Sequence, residues 1–406
     1  MTLIHLCRER LATYRDTGRI NVMQHQNSVF HGLLKHVPWT LFDRLVEEHG
    51  ADHRVRRLTT KSQFLALLYA QLAGATSLRE IEAGLKSHAS RLYHLGAAPA
   101  CRSTLSDANT LRPASVFSAL LGALMSQAQR GLRRSLAETT YLIDATSVRL
   151  SALCSRWARF CAGVCGAKLH VVYDPDADQP VYLGISPANV NDITMAQQMP
   201  ITPGATYVFD LGYYDYRWWA ALDAQGCRIV TRFKANTPLR LVKTLPVASG
   251  GTIVSDRIGH LPVRQKNNRR NPFADPVREV RVRIESGKVL RILCNDLDAS
   301  AEEIAELYKR RWAIELFFRW VKQTLKITRF VGTSENAVRI QIAVALIAFM
   351  LLRLAQATQK AIHSPLAFAR LVRLNLMHKR PLDRLLDPPT PPSRDPNQLI
   401  LALAHG

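Results

Sequence analysis

Three widely separated carboxylates stand in settings that suit metal chemistry. Asp144 lies in the apolar stretch YLIDATS, Asp210 in YVFDLGYYD, and Glu315 in the helical stretch YKRRWAIELFFRWVKQTL, residues 308–325. A carboxylate in an apolar strand is costly unless it binds a cation or is fully hydrogen-bonded. Each aspartate alone is also compatible with a satisfied core carboxylate or a residue that caps a turn. Each would suit a divalent cation that prefers oxygen ligands, such as Mg²⁺.

The 308–325 stretch has the pattern of an amphipathic helix, with polar residues on one arc and apolar residues on the next. The apolar arc holds Leu307, Ile314, Phe317, Phe318, Val321 and Leu325, and the polar arc holds Tyr308, Arg311, Glu315, Arg319 and Lys322. One carboxylate among cations indicates a metal ligand beside groups that clamp phosphates. The alternative is a solvated face with ion pairs four residues apart, in which Glu315 pairs with Arg311 or Arg319.

The elements that must position these residues change character along the chain. Residues 28–131 have helical periodicity, including a capping box at Ser77 and Glu80. Residues 138–210 favour strands, one around Asp144 and another that runs into Asp210. Residues 211–300 alternate apolar and polar positions as β structure does, and residues 301–360 return to helix. An N-terminal extension, residues 1–27, and a C-terminal segment of short helices and a Pro-rich tail, residues 361–406, complete the chain.

Charge and cysteine content restrict the class of protein. The chain carries 54 Lys+Arg against 32 Asp+Glu, a formal charge of +22, which predicts a polyanionic partner. Nucleic acid is favoured over a membrane, because the apolar run from residue 342 to 352 is shorter than the roughly 20 residues that span a bilayer and predicts a buried helix. The N-terminus has no signal-peptide pattern, so we expect a cytoplasmic, nucleoid-associated protein. Seven scattered cysteines fit reduced thiols, and Cys161, Cys165 and His170 are too loosely spaced to favour zinc.

A hydroxyl-rich segment, CRSTLSDANTLRP (residues 101–113), follows a helix that ends in glycine. It has the composition of the turn and recognition helix of a helix-turn-helix-like module. In that interpretation the residues that contact DNA phosphates or bases are Arg102, Ser103, Thr104, Ser106 and Asn109. An ordinary helix N-cap and loop explains the same composition, and the sequence leaves both open.

The spacing of the helical stretch resembles a known family. Tyr308, Arg311, Glu315 and Lys322 reproduce the pattern Tyr, two residues, Arg, three residues, Glu, six residues, Lys. This is the signature of the Y-R-E-K group of bacterial insertion-sequence DDE transposases. IDATS and DLGYYD resemble the family's two aspartate boxes, and SVFHGLLKHVP with FDRLVEEH resembles an N-terminal domain that accompanies some members. The resemblance covers about residues 28–355.

The resemblance implies an α/β fold with a ribonuclease-H-like catalytic core, residues 138–210 and 301–360. This core would be interrupted by a β-rich insertion domain, residues 211–300, and preceded by an all-α DNA-binding domain, residues 28–131. Asp144, Asp210 and Glu315 would be the catalytic and metal-binding residues, with Mg²⁺ as the cofactor and Mn²⁺ as a substitute. The DNA-binding residues would be Tyr308, Arg311, Arg319 and Lys322, with Arg232 and Lys234 of the TRFKANT box.

The activity implied by the resemblance is cut-and-paste transposition. The partners would be double-stranded DNA, both terminal inverted repeats and target DNA, and a second copy of the chain on that DNA. Two alternatives are a catalytically silent DNA-binding regulator derived from a transposase and a general ribonuclease-H-like nuclease without strand transfer. The three carboxylates argue against the regulator, and the helical region and the insertion argue against the nuclease.

The insertion departs from the family pattern at its aromatic residues. Members that cut through a DNA hairpin stack a flipped base on an aromatic residue of the insertion, often Trp. No Trp lies between residues 220 and 311, where Phe233 and Phe273 are the aromatics apart from Tyr308. The route of second-strand cleavage therefore stays open. The basic run RQKNNRR, residues 264–270, is either a DNA-tracking segment or a solvated loop.

Overall fold

The computed structural model describes residues 28–129, 139–161, 164–265, 269–324, 330–358 and 361–386. Expectations for the N-terminal extension, the Pro-rich tail, Leu325 and the middle of the RQKNNRR run lie outside these ranges. The first range is helical, as predicted. It contains α1 (Val29–Leu34), α2 (Trp39–Glu48), α3 (Thr60–Ala73), α4 (Leu78–Ser87), α5 (Ala89–Leu92), α6 (Arg102–Leu111) and α7 (Ala114–Gln129).

Side-chain caps and glycines set the limits of these helices. The hydroxyl of Ser77 accepts from the Glu80 amide at 3.2 Å and so begins α4. The Glu80 carboxylate accepts from the amide of Thr76 at 2.7 Å, one residue before the predicted partner of a capping box. Gly74 ends α3 with a φ of 81°, a left-handed conformation that favours glycine.

The second half of the chain forms a ten-stranded sheet. Its strands are β1 (Thr140–Leu150), β2 (Arg159–Cys161), β3 (Val164–Asp174), β4 (Gln179–Pro187), β5 (Thr206–Phe209), β6 (Arg228–Arg232), β7 (Arg240–Leu245), β8 (Ile253–His260), β9 (Val277–Arg283) and β10 (Val289–Cys294). The neighbours β4, β3 and β1 are antiparallel, whereas β5 and β6 run parallel to β1. This order, β4–β3–β1–β5–β6, is that of a ribonuclease-H-like core, so the predicted fold class is confirmed.

The core continues beyond the boundary that the sequence suggested at residue 211. α10 (Tyr216–Asp223) and β6 follow that boundary, yet β6 pairs in parallel with β5 from Thr206↔Arg228 to Phe209↔Thr231. β10, β9, β8 and β7 then extend the same sheet as an antiparallel series. The β-rich insertion is thus an extension of the core sheet that begins after β6. The boundary was misplaced because alternating patterns look alike in core and insertion strands.

Helices cover both faces of the sheet. α8 (Ser155–Ala158) follows β1, and the short α9 (Asp192–Ala196) packs with α10 on one face. The other face carries α11 (Ala301–Arg310), α12 (Trp312–Thr324), α13 (Glu335–Ala357) and α14 (Pro365–Asn375), whose apolar sides share a core with the helices of residues 28–129. α13 is long and apolar enough to cross a membrane, but 78% of its apolar 18-residue segment is buried in the protein. The prediction of a buried helix at residues 342–352 is therefore confirmed.

The stretch predicted as one helix is two helices that part at Arg311. The hydrogen bonds from the Arg311 amide to Tyr308 O (3.1 Å) and from the Ile314 amide to Arg311 O (3.2 Å) span three residues instead of four. The chain tightens there into a single 3₁₀-like turn. Ile314, Phe317, Phe318 and Val321 are buried against the sheet, so the predicted apolar face of α12 is confirmed.

Candidate active site

The parallel pairing of β1 and β5 brings Asp144 and Asp210 to neighbouring positions. The pairing ends at Ile143↔Phe209, and both of these side chains belong to the apolar cluster under α10. Because side chains alternate along a strand, Asp144 and Asp210 are directed to the opposite face. Asp144 lies within β1, as predicted. Asp210 follows the last residue of β5, and its carboxylate accepts from the Gly212 amide at 3.2 Å.

Glu315 reaches the same face from α12. The apolar side of α12 packs into the cluster that contains Leu142 and Val208, which flank the two aspartates on their strands. Arg311 connects the carboxylates, because its Nη2 lies 2.5 Å from Glu315 Oε1 and its Nη1 lies 3.6 Å from Asp144 Oδ2. The structure therefore collects all three predicted carboxylates on one face of the sheet, with a guanidinium among them.

The three carboxylates act on one another electrostatically. Burial raises the pKa of Asp144 to about 6, although the Ala145 amide at 2.8 Å and the Arg311 guanidinium both lower it. The charges of Asp210 and Glu315 raise the pKa of Asp144 further. The pKa of Asp144 thus stays raised although Arg311 pairs with both Asp144 and Glu315, so the charge of Asp144 is incompletely balanced.

The residues fit a divalent cation by their chemistry. Carboxylate oxygens are the ligands that Mg²⁺ prefers, and an incompletely balanced carboxylate cluster favours a cation. Within the described ranges no group of three or more His, Cys, Asp or Glu side chains is already arranged around a single metal position. Arg311 is the counter-charge of Asp144 and Glu315 in this arrangement. Asp144, Asp210 and Glu315 are the residues that would hold the metal.

The predicted cationic contacts divide into surface and interior groups. Arg319 is exposed and Lys322 is half-buried, where burial lowers the pKa of its ammonium group. Tyr308 is only 8% exposed and lies against the Arg311 guanidinium, 5.8 Å from the ring centroid. Tyr308 therefore offers little surface to a ligand and supports Arg311 instead. Burial raises the pKa of Tyr308, and the charge of Asp210 adds to this effect, whereas the charges of Arg311 and Arg232 oppose it.

Arg232 and Lys234 lie at the end of β6, close to the carboxylates. Arg232 is opposite Ile292 of β10 in the sheet, which places it on the carboxylate face. Lys234 follows in an exposed loop, where its Nζ lies 4.1 Å from the centroid of the Tyr214 ring. The structure thus brings both residues of the TRFKANT box beside the turn that carries Asp210.

Asp192 is a neighbour of the site that belongs to none of the three carboxylate patterns of the sequence. It is the first residue of α9, and its carboxylate pairs with Lys168 Nζ at 2.9 Å. Its Oδ2 would lie 3.2 Å from a Cβ added to Gly212, in the turn that holds Asp210. Only the tertiary fold makes this contact, so no local spacing could have revealed it.

In the helical region the predicted contacts separate by burial. Arg102, Ser103, Thr104 and Ser106 are exposed on α6. The expectation that Asn109 contacts DNA is wrong, because Asn109 is 3% exposed and its Oδ1 accepts from Gln63 Nε2 at 2.8 Å. An amide held in the interior cannot reach a phosphate or a base.

The aromatic residues of the insertion are also interior. Phe233 and Phe273 are each 4% exposed and belong to the apolar cluster under α10. Neither ring is available to stack on a flipped base in this arrangement.

The sheet has the strand order of a ribonuclease-H-like fold and carries two aspartates and a glutamate on one face, and comparison with known proteins gives the family of the chain. Residues 136–351 match the family described as Transposase DDE domain, and residues 25–98 match Domain of unknown function (DUF4372). The chain therefore belongs to the DDE transposase domain family, with the accompanying N-terminal domain that the sequence suggested.

Relatives across most of the chain carry transposase names. The protein y4zB of Sinorhizobium fredii (strain NBRC 101917 / NGR234) is 40% identical over 289 residues, 70% of this chain and 80% of that protein. A protein of Geobacillus stearothermophilus named for insertion sequence element IS5377 is 32% identical over 287 residues, 69% of this chain and 74% of that protein. More distantly, the cryo-EM structure of the piggyBac transposase synaptic complex with hairpin DNA aligns with a TM-score of 0.45 and 9% identity, over 92% of this chain and 84% of that chain.

Proposed function

We propose that this DNA transposase belongs to the Y-R-E-K group and binds the terminal inverted repeats of its own insertion sequence. It cleaves the phosphodiester bonds at the element ends and transfers the 3′ ends to target DNA by cut-and-paste transposition. The observation that carries the proposal is the collection of Asp144, Asp210 and Glu315 on one face of the sheet, next to Arg311. Family membership supports the class of reaction.

Each side chain has a role in this proposal. Asp144, Asp210 and Glu315 hold Mg²⁺, or Mn²⁺ in its place. When bound, divalent cations activate a water or a 3′-hydroxyl and stabilise the leaving oxygen. Because the pKa of Asp144 is about 6, this residue is mostly ionised and able to act as a ligand at neutral pH. Arg311 balances the carboxylates, and its forked donors suit a phosphate at the cleavage site.

Cations outside the carboxylate cluster would hold the DNA. A formal charge of +22 provides the general attraction to a polyanion. Arg319, Lys322, Arg232 and Lys234 lie on or beside the carboxylate face and would contact the backbone, with Tyr308 behind Arg311. The exposed start of α6, with Arg102, Ser103 and Thr104, would form a second contact region. Two element ends require two active sites, so we propose a homodimer on DNA.

The test is metal-dependent cleavage of a labelled terminal-repeat duplex by the wild type, Glu315→Gln and a matched control, Glu306→Gln. Glu306 is an exposed carboxylate on α11, with its Oε2 3.7 Å from Lys309 Nζ. We expect Mg²⁺-dependent nicking at the repeat boundary by the wild type and Glu306→Gln. Glu315→Gln should lose nicking while it still binds the duplex in a gel shift at the same salt concentration. A wild type that binds but never cuts with Mg²⁺ or Mn²⁺ would show a catalytically silent regulator instead.

A further inference from the structure

A single buried carboxylate organises a cluster of arginines in the insertion strands. Glu279 of β9 is fully buried, and its carboxylate accepts from Arg291 Nε at 2.7 Å, Arg281 Nε at 2.9 Å and Arg257 Nη2 at 2.8 Å. Strand pairing explains the cluster, because Arg257 is opposite Glu279 and Arg291 is opposite Arg281. Burial alone would raise the pKa of Glu279, but Arg291 and then Arg281 outweigh it and lower the pKa. Glu279 therefore stays ionised and fixes its partners.

Arg291 differs from the other two arginines because it also reaches the loop formed by residues 233–237, which we call the 233–237 loop. Arg291 Nη1 donates to Lys234 O and Ala235 O, each at 2.8 Å, and both terminal nitrogens lie 3.1 Å from Thr237 O. The guanidinium carbon lies 4.3 Å from the centroid of the Phe233 ring. One side chain thus satisfies three main-chain carbonyls, which only the forked guanidinium can do while its Nε binds Glu279.

The 233–237 loop connects this cluster to the carboxylate face. It begins directly after Arg232 and contains Lys234, whose ammonium group lies over the Tyr214 ring. The hydroxyl of Tyr214 lies 3.2 Å from Thr237 Oγ1, and Tyr214 follows the turn that carries Asp210. The conformation of this loop therefore sets where Lys234 points relative to the active site, whereas Arg232 is already held by the pairing of β6 with β10.

We infer that Arg291 is a positioning residue for DNA binding. By fixing the 233–237 loop, it directs Lys234 toward the DNA backbone beside Arg232 and the carboxylates. The inference rests on the proposed function, since it assumes that Lys234 contacts DNA. The Arg291 side chain is itself only 14% exposed and donates to carbonyls of the loop.

Arg281 supplies the matched control. It lies on the neighbouring strand, carries the same charge and binds the same Glu279 oxygen, but in the described structure it donates to no carbonyl of the 233–237 loop. A role limited to stabilising the sheet would make the two arginines similar. A role in positioning the loop would make the Arg291 and Arg281 variants differ in DNA binding.

The experiment compares wild type, Arg291→Lys and Arg281→Lys as full chains with a terminal-repeat duplex. Both substitutions preserve net charge, so general attraction to DNA is unchanged. Each phosphate contact contributes about 0.9 to the slope of log affinity against log salt. We expect Arg291→Lys to lower this slope by up to about 0.9, the contribution of Lys234, which at 0.1 M salt corresponds to an affinity loss of up to about eightfold. The nicking rate at saturating DNA should fall much less, and Arg281→Lys should keep the wild-type slope.

A second variant tests the loop without disturbing the buried cluster. Thr237→Gly removes the hydroxyl that contacts Tyr214 and loosens the main chain, while Arg291 and Glu279 stay paired. We expect its slope to fall in the same direction. A wild-type slope in Thr237→Gly, or equal slopes in the two lysine variants, would overturn the inference while leaving the proposed function intact. A wild type that neither binds nor cuts the duplex would instead overturn the proposed function.

Discussion

Asp144→Asn should stabilise the metal-free protein at neutral pH, even though it removes a proposed catalytic group. Burial raises the pKa of Asp144 from 3.8 to about 6, against the opposing effects of the Ala145 amide and Arg311. Ionising this carboxylate therefore disfavours the folded state. A shift of about two pKa units corresponds to about 3 kcal/mol of stability lost at neutral pH. Asparagine has a similar shape and no charge, so it should recover most of that free energy.

The effect of Asp144 on folding stability depends on pH with a definite sign. The folded state binds the Asp144 proton more tightly than the unfolded state, so ionisation does not reduce stability below about pH 3.8. The loss grows as the pH rises from 3.8 to about 6 and is complete above that value. The stability difference between Asp144→Asn and the wild type should accordingly be small near pH 4, about half of its maximum near pH 5 and full at about pH 7.

Thermal unfolding in the absence of divalent cations measures this difference. An unfolding entropy of about 2.1 cal/mol/K per residue gives roughly 0.85 kcal/mol/K for a chain of this size, so 3 kcal/mol corresponds to about 3–4 °C in Tm. Asp43→Asn, at an exposed position of α2, is the control and should shift Tm by less than about 1 °C. Added Mg²⁺ should raise the Tm of the wild type more than that of Asp144→Asn. An asparagine variant that melts at or below the wild-type temperature at pH 7.5 without metal would refute the view of Asp144 as an unbalanced charge.

Two further substitutions test the electrostatics of the site and the packing of the helical region. Arg311→Gln removes a guanidinium that lowers the pKa of Asp144, so the acidic limb of the pH–cleavage profile should move to higher pH. The control Arg310→Gln should leave that limb in place. An unchanged midpoint in Arg311→Gln would contradict this electrostatic role. Asn336 Nδ2 donates to main-chain carbonyls at the junction of α6 and α7, at 2.6 and 3.0 Å. Asn336→Ala should lower the unfolding free energy by about 1–3 kcal/mol, measured by denaturant titration, and a stability equal to wild type would show that water replaces these bonds.

The sequence located the carboxylates because each stands in a recognisable local pattern, but it did not reveal how they meet. The proximity of Asp144 and Asp210 depends on the parallel register of β1 and β5, which no local spacing encodes. The break at Arg311 was missed for a related reason. The helix tightens there without a glycine or proline to mark it, so the amphipathic pattern continued across the turn.

The interpretation of Asn109 shows a different kind of error, since the sequence did contain a pattern that indicates its burial. Leu105 and Ala108 are the buried apolar residues of α6, and Asn109 falls on the same side as both. The hydroxyl-rich composition of the segment outweighed that periodicity in the interpretation. Residues on the other side of α6, such as Arg102 and Ser103, are exposed. Helical periodicity was thus the better guide to which polar residues face solvent.

The charge imbalance reverses between two parts of the same sheet. Around Asp144, Asp210 and Glu315, three carboxylates have Arg311 as their close guanidinium, which leaves negative charge for a cation to balance. Around Glu279, one carboxylate binds three guanidiniums, which leaves positive charge for an anion to balance. The 233–237 loop lies between the two regions. A metal-dependent enzyme that acts on a phosphodiester needs both imbalances close together, because the cation must meet the carboxylates while the strand it acts on stays bound.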